Sequence, residues 1–222
     1  IVTSELLFNI AEKYGVDRYD VLTGFKYIAD IIGRLEGEKT FIGGGEESYG
    51  YLVGDFVRDK DAVISCVMLA ETAAWAADQG KSMYELLKDI YVEFGFYKEK
   101  LLSVTKKGMA GAQEIKAMME RFRNNPPVEI AGSKLVWIKD YELRKTRNLI
   151  ENTETPIDLP KSDVLQFVTE HGHKISVRPS GTEPKIKFYF GVKAPLAHRD
   201  DFERVDKQLD QVILEVMNSL NI

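Results

Sequence analysis

A chain of 222 residues has room for one large domain or two ordinary ones, and a composition of 44% hydrophobic and 29% charged residues excludes disorder, collagen-like repeats and a disulfide scaffold. Lys and Arg number 30 against 35 Asp and Glu, a net charge of −5, so no overall field draws the protein to nucleic acid or an anionic membrane and any anionic ligand needs a local basic site. The single cysteine, Cys66, rules out intrachain disulfides and multi-cysteine zinc sites, and with no membrane-span-length apolar run and no leader pattern the expected location is cytoplasmic.

The chain opens at Ile1-Val2-Thr3, without Met and in strand-like composition, so a longer parent polypeptide is expected. Leu6, Leu7, Ile10, Ala11 and Tyr14 then fall at helical spacing, with Thr3 or Ser4 as N-cap and Gly15 as the stop. Val16–Leu22 reads as a short strand. Thr23 can cap a helix carrying Phe25, Ile28, Ile31 and Ile32, and Phe41-Ile42 reads as a strand running into a glycine turn, an order of β-α-β-α-β. Asp61–Gln79 is apolar almost all round, the pattern of a helix buried on more than one side, with Cys66 and Trp75 inside and Asp59 or Asp61 as cap. Ser82 and Glu85 form a capping box for Met83–Phe94. A possible strand, Leu101–Thr105, precedes a helix marked by Ile115, Met118, Met119 and Phe122.

Asn124-Asn125-Pro126-Pro127 stops that helix and is taken as the domain boundary, giving 1–124 and 125–222. Beyond it come strands: Lys134–Asp140, a loop over Glu151–Pro160, then Asp163–Thr169 turning through Glu170-His171-Gly172-His173 into Lys174–Arg178, and Lys185–Gly191. In the last strand Ile186, Phe188 and Phe190 share one face and Lys185, Lys187 and Tyr189 the other, so one face meets a core and one is open to a ligand. Arg199–Leu220 carries a helical stripe that would cover the apolar face. The fold class is an α/β layered domain followed by an α+β domain with an antiparallel sheet and helices.

Two segments carry chemistry. Phe41–Gly50 follows three glycines with Glu46, Glu47, Ser48 and Tyr49; the carboxylates and hydroxyls suit sugar hydroxyls, whereas a phosphate loop would carry Lys, and a plain acidic surface loop is the alternative. Arg178-Pro179-Ser180-Gly181-Thr182-Glu183-Pro184 with Lys187 gathers a forking guanidinium, two hydroxyls, exposed backbone N–H groups and an ammonium, the donors a phosphate monoester requires. A Pro/Gly turn bearing solvated basic residues is the alternative there. His171 and His173, with no carboxylate or cysteine at ligand spacing, read as exposed turn histidines.

Thr23-Gly24-Phe25-Lys26-Tyr27, Gly44–Gly50, Arg58-Asp59-Lys60-Asp61 and Arg178–Pro184, taken in order, resemble the C-terminal half of the phosphoglucomutase/phosphomannomutase group, the α-D-phosphohexomutase superfamily. The resemblance implies a four-domain isomerase of carbohydrate metabolism in which a phosphoserine gives its phosphoryl to a hexose monophosphate, the bisphosphate turns over, and the opposite phosphate returns. It implies Mg2+ and glucose 1,6-bisphosphate as cofactor and intermediate. Neither a Thr-Ala-Ser-His-Asn-Pro serine motif nor an Asp-Gly-Asp-Gly-Asp magnesium motif occurs here, so catalytic and metal residues are expected in N-terminal domains of the same polypeptide and this span alone is expected to be inactive. On the family pattern Glu46, Ser48, Lys60 and Lys26 would meet the sugar, and Arg178, Ser180, Gly181, Thr182 and Lys187 the phosphate not being transferred. Glu-Glu-Ser-Tyr-Gly is similar to glucose-specific members. Phosphomannomutase, phosphopentomutase, bisphosphate synthase and a non-catalytic sugar-phosphate-binding module are the alternatives.

Overall fold

A computed structural model describes residues 1–181 and 183–222, and the chain divides into two compact units, 1–94 with 197–199 and 95–196 with 200–222.

The first unit is α/β. Helices α1 (Leu6–Lys13) and α2 (Phe25–Arg34) precede the antiparallel hairpin β1 (Gly43–Glu46) and β2 (Gly50–Val53), and α3 (Ala62–Asp78) and α4 (Met83–Phe94) follow. A small core of Phe25, Ile32 and Leu52 is ringed by Ile28, Phe41 and Val57. Several expectations are corrected. Residues 16–22 form no strand, and α2 is entered through Gly24 with no side-chain cap, so Thr23 does not cap it; Glu5 stands at the cap position of α1 and makes no side-chain cap bond, while Ser4 Oγ just before it accepts from the Leu6 amide at 3.3 Å. The glycine run is itself the strand rather than a turn, because a Cβ on Gly45 would lie 2.9 Å from the Gly50 carbonyl oxygen and 2.6 Å from the Tyr51 ring. Only glycine lets these strands approach so closely. Helix α3 is where expected, capped by the Asp61 carboxylate accepting from the Val63 and Ile64 amides, but only Ala76 on it is buried, and Cys66 and Trp75 are exposed. A helix apolar all round gives no sign of which side is covered, and a two-stranded sheet covers little of it. The capping box is present: Ser82 Oγ accepts from the Glu85 amide, and Glu85 accepts from the Ser82 amide at 2.7 Å.

The second unit is β-rich with helices. Its strands are β3 (Phe96–Thr105), β4 (Glu129–Ile130), β5 (Ser133–Asp140), β6 (Lys145–Asn148), β7 (Thr153–Pro156), β8 (Leu165–Thr169), β9 (Lys174–Pro179) and β10 (Lys185–Ala194), with α5 (Gly108–Asn124) and α6 (Phe202–Leu220). They form a sheet in the order β3-β10-β9-β8-β5-β6-β7, with β4 on β5 and every pairing antiparallel. Phe167, Ile175, Val177, Ile186, Phe188 and Phe190 are buried on one face. Phe122 of α5 meets the rings of Phe167 and Phe188 edge-on, and the α6 stripe of Phe202, Val205, Leu209, Ile213, Val216 and Leu220 is buried as expected. Arg123 ties the end of α5 to Asp140 and Asp163.

The division into units does not fall at Asn124–Pro127. Strand β3 begins at Phe96 and pairs with β10 from Ala194↔Phe96 to Lys185↔Thr105, which carries β3 and α5 into the second unit. The prolines end a helix, not a domain. Within the segment read as the loop Glu151–Pro160 lies β7, whose residues are all exposed and polar or proline, leaving no alternation to read. His171 is exposed as expected, but His173 is buried. No described helix is long and apolar enough to cross a membrane.

Candidate substrate and phosphate sites

In the first unit the hairpin brings Glu46, at the end of β1, opposite Gly50 on β2. Glu46 Oε1 accepts from the Gly24 amide at 2.7 Å, which fastens the Thr23-Gly24 turn to the hairpin. Gly24 has φ of 129°, a conformation that side chains resist, so glycine is required at this junction. Lys60 reaches the same place: a Cβ on Gly50 would lie 2.4 Å from its Cδ, and its Nζ stands 5.0 Å over the Phe25 ring and 2.9 Å from Asp59. Bonds from the Lys60 ammonium and amide hold the Asp59 carboxyl below the usual range. The structure therefore gathers Glu46, Gly24 and Lys60. Ser48 and Tyr49 project from the exposed hairpin tip, Glu47 accepts from the Thr3 hydroxyl at 3.1 Å, and Lys26 lies exposed on α2 with its Nζ 4.9 Å from the Tyr27 ring. Thr23 Oγ1, beside Gly24, is buried without a partner among the described residues. A hydroxyl ahead of a helical pattern carries the same chemistry as an N-cap, which is why Thr23 reads as a cap in the sequence.

In the second unit the loop between β9 and β10 is closed by its own bonds. The Ser180 amide donates to the Lys185 carbonyl at 2.7 Å, the Glu183 amide donates to Ser180 Oγ at 3.3 Å, and the Lys106 amide donates to the Pro184 carbonyl at 2.9 Å. Gly181 is exposed at the tip with open space around it, and Thr182 lies outside the described residues. At the base of the loop Arg178 on β9 and Lys187 on β10 are direct cross-strand partners, both half-buried. Like charges placed opposite each other on one sheet face destabilise it. Among the described residues no carboxylate pairs with either cation, so an anion seated between them would relieve the repulsion. Lys185 sits 4.0 Å from Glu183. The structure thus brings Arg178, Lys187 and the Ser180 turn to one end of one hairpin.

The phosphoglucomutase/phosphomannomutase alpha/beta/alpha domain III model matches residues 1–94, and the model of the C-terminal domain of the same group matches residues 106–209. The chain belongs to the phosphoglucomutase/phosphomannomutase family. Within that family it is 39% identical over 209 residues to a phosphoglucomutase of Staphylococcus haemolyticus, covering 94% of this chain and 37% of the relative. It is 40% identical over 213 residues to a phosphoglucomutase of Staphylococcus aureus strain MRSA252, covering 96% of this chain and 38% of the relative. The chain thus spans little more than a third of these relatives. Its fold is similar to the open form of Paramecium parafusin (pp63), an exocytosis-sensitive phosphoprotein described as a phosphoglucomutase, with a TM-score of 0.65 at 18% identity over 99% of this chain and 36% of that one. The family models fall on the two units, with the second beginning at residue 106, inside the second unit.

Proposed function

We propose that this chain is the C-terminal, substrate-holding part of a phosphoglucomutase-type isomerase that interconverts hexose 1-phosphate and hexose 6-phosphate through a phosphoserine and a bisphosphate intermediate, in the cytoplasm. Glu46, Ser48, Lys60 and Lys26 are its sugar contacts. Arg178, Ser180, Gly181, Thr182 and Lys187 hold the phosphate that is not being transferred. The observation that carries the reading is the cross-strand pairing of Arg178 with Lys187 beneath a glycine-tipped loop. Two cations facing each other, with no carboxylate paired to either among the described residues, form a site pre-organised for a dianion, since its donors are in place before the ligand arrives. Groups so placed do not touch the reacting bond; they contribute by fixing the substrate so that chemistry elsewhere meets a positioned phosphoryl group.

Neither the serine motif nor the magnesium motif of the family occurs in this sequence, so under this reading Mg2+ and the nucleophile would be supplied by N-terminal domains of the same polypeptide.

The test is titration of this chain with inorganic phosphate, glucose 6-phosphate and glucose, followed by amide NMR. Both phosphates should bind in the millimolar range, about −4 kcal/mol, with shifts centred on Ser180 and Gly181, because an open, hydrated site recovers only part of its electrostatic gain. Added salt should weaken them, glucose should leave the loop unmoved, and Arg178→Ala should abolish the shifts. Equal effects of glucose and glucose 6-phosphate on the loop would reject the site.

A further inference from the structure

On the sheet face that carries Arg178 and Lys187, the next row of cross-strand partners runs Lys139↔Gln166↔Ser176↔Tyr189. Ser176 is therefore two residues from Arg178 along β9, directly opposite Tyr189, and diagonal to Lys187. This face was expected to be open to a ligand, yet Gln166 and Ser176 are each 1% exposed and Tyr141 is 3% exposed. They are joined head to tail. Tyr141 Oη donates to Gln166 Oε1 at 2.8 Å, and Gln166 Nε2 donates to Ser176 Oγ at 2.8 Å. Among the described residues Ser176 Oγ accepts that bond and donates none, so a buried hydroxyl proton is left uncommitted at the end of the chain nearest the two cations. A buried donor without an acceptor is costly, and apolar residues would fill these positions at less cost.

We infer that Tyr141, Gln166 and Ser176 form a donor relay serving the phosphate site, with Ser176 as a positioning residue whose hydroxyl proton is offered, through water, to the anion held by Arg178 and Lys187. Each bond in the chain polarises the next in the same sense, so the free Ser176 proton is a stronger donor than an isolated serine. The inference rests on the phosphate-binding reading above and deepens it by adding a buried tier of three residues that lie outside the loop.

Inorganic phosphate titrated into the chain, three relay variants and Arg178→Ala separates the two. Ser176→Ala should raise the phosphate dissociation constant about fivefold, Gln166→Met about threefold, and Tyr141→Phe, furthest from the anion, about twofold, a gradient that packing alone does not produce. Tyr141→Phe and Gln166→Met keep side-chain volume, and thermal unfolding of each variant confirms that the fold is retained. Loss of phosphate binding in Arg178→Ala with wild-type affinity in all three relay variants would overturn the relay and leave the phosphate site standing. Phosphate binding that survives Arg178→Ala would overturn the site itself and the relay with it.

Discussion

His173 closes the β8–β9 hairpin with its Nδ1 accepting from the Lys193 amide at 3.4 Å, its ring 6.0 Å from that of His171. Burial, then the neighbouring charges of His171 and Lys193, pushes its pKa down to about 4 from 6.5, so the folded protein keeps this imidazole neutral. Between pH 6.5 and 4 the unfolded chain takes up a proton that the folded chain refuses. Stability is thus unaffected by this group above pH 6.5 and falls as the pH drops through that window, by at most about 3 kcal/mol. Urea unfolding of the wild type and His173→Gln from pH 7.5 to 4 should show the wild type losing stability relative to the variant as pH falls. Parallel curves would remove His173 as the cause. The turn itself was legible, since Gly172 between two strand patterns marks it. The burial was not, because the Lys193 backbone and side chain that cover the hairpin come from β10, twenty residues away.

At the scale of elements, what could be read depended on whether an element stabilises itself or is defined by its partner. The α4 capping box and the α6 stripe are local patterns, and each stands where its residues put it; on β10 the apolar face of Ile186, Phe188 and Phe190 does too, but Tyr189 on the face expected to be open is buried. Strand β3 and the hairpin β1–β2 owe their form to what lies alongside: β3 is a strand because β10 pairs with its whole length, and Gly43–Glu46 is extended because it pairs with Gly50–Val53, with no room for a Cβ on Gly45 against Tyr51 and the Gly50 carbonyl. For the site, the donors of the β9–β10 loop were legible as residue types, whereas the face-to-face placement of Arg178 and Lys187 required the register. A pair of glycine variants tests this distinction. Gly45→Ala puts a methyl group against backbone in the hairpin that carries Glu46, and should cost about 1–3 kcal/mol as the strands shift apart. Gly33→Ala, inside α2 with nothing within 4 Å of the added carbon, should stabilise by about 0.4–1 kcal/mol through a less flexible unfolded chain. Thermal and urea unfolding of both variants measures the difference in sign. Equal effects would mean that the hairpin does not depend on close approach.

For the whole molecule, the two units differ in how much they bury. The second unit stacks Phe167, Phe188 and Phe190 between strands and helices, all at most 1% exposed, with Phe202 of α6 stacked on Phe96 at 4.7 Å. The first has Phe25, Ile32 and Leu52 at its centre and leaves Val63, Val67, Leu69 and Trp75 of α3 more than half exposed. Apolar area withdrawn from water is the main source of stability, at roughly 25 cal/mol per Å2, so the first unit should open at a lower free-energy cost than the second. Short-range features point the same way: its sheet has two strands, and such a hairpin holds only while its neighbours stay packed. Hydrogen exchange followed by mass spectrometry should show the amides of α3, β1 and β2 exchanging first, in one cooperative group, while those of β8, β9 and β10 persist until global unfolding. The order has a functional corollary under the proposed reading, because the sugar-contact hairpin would sit in the more adaptable unit and the phosphate cradle in the more rigid one. Exchange of β9 and β10 at the same rate as β1 and β2 would show a single cooperative body and would remove the basis for assigning them different roles.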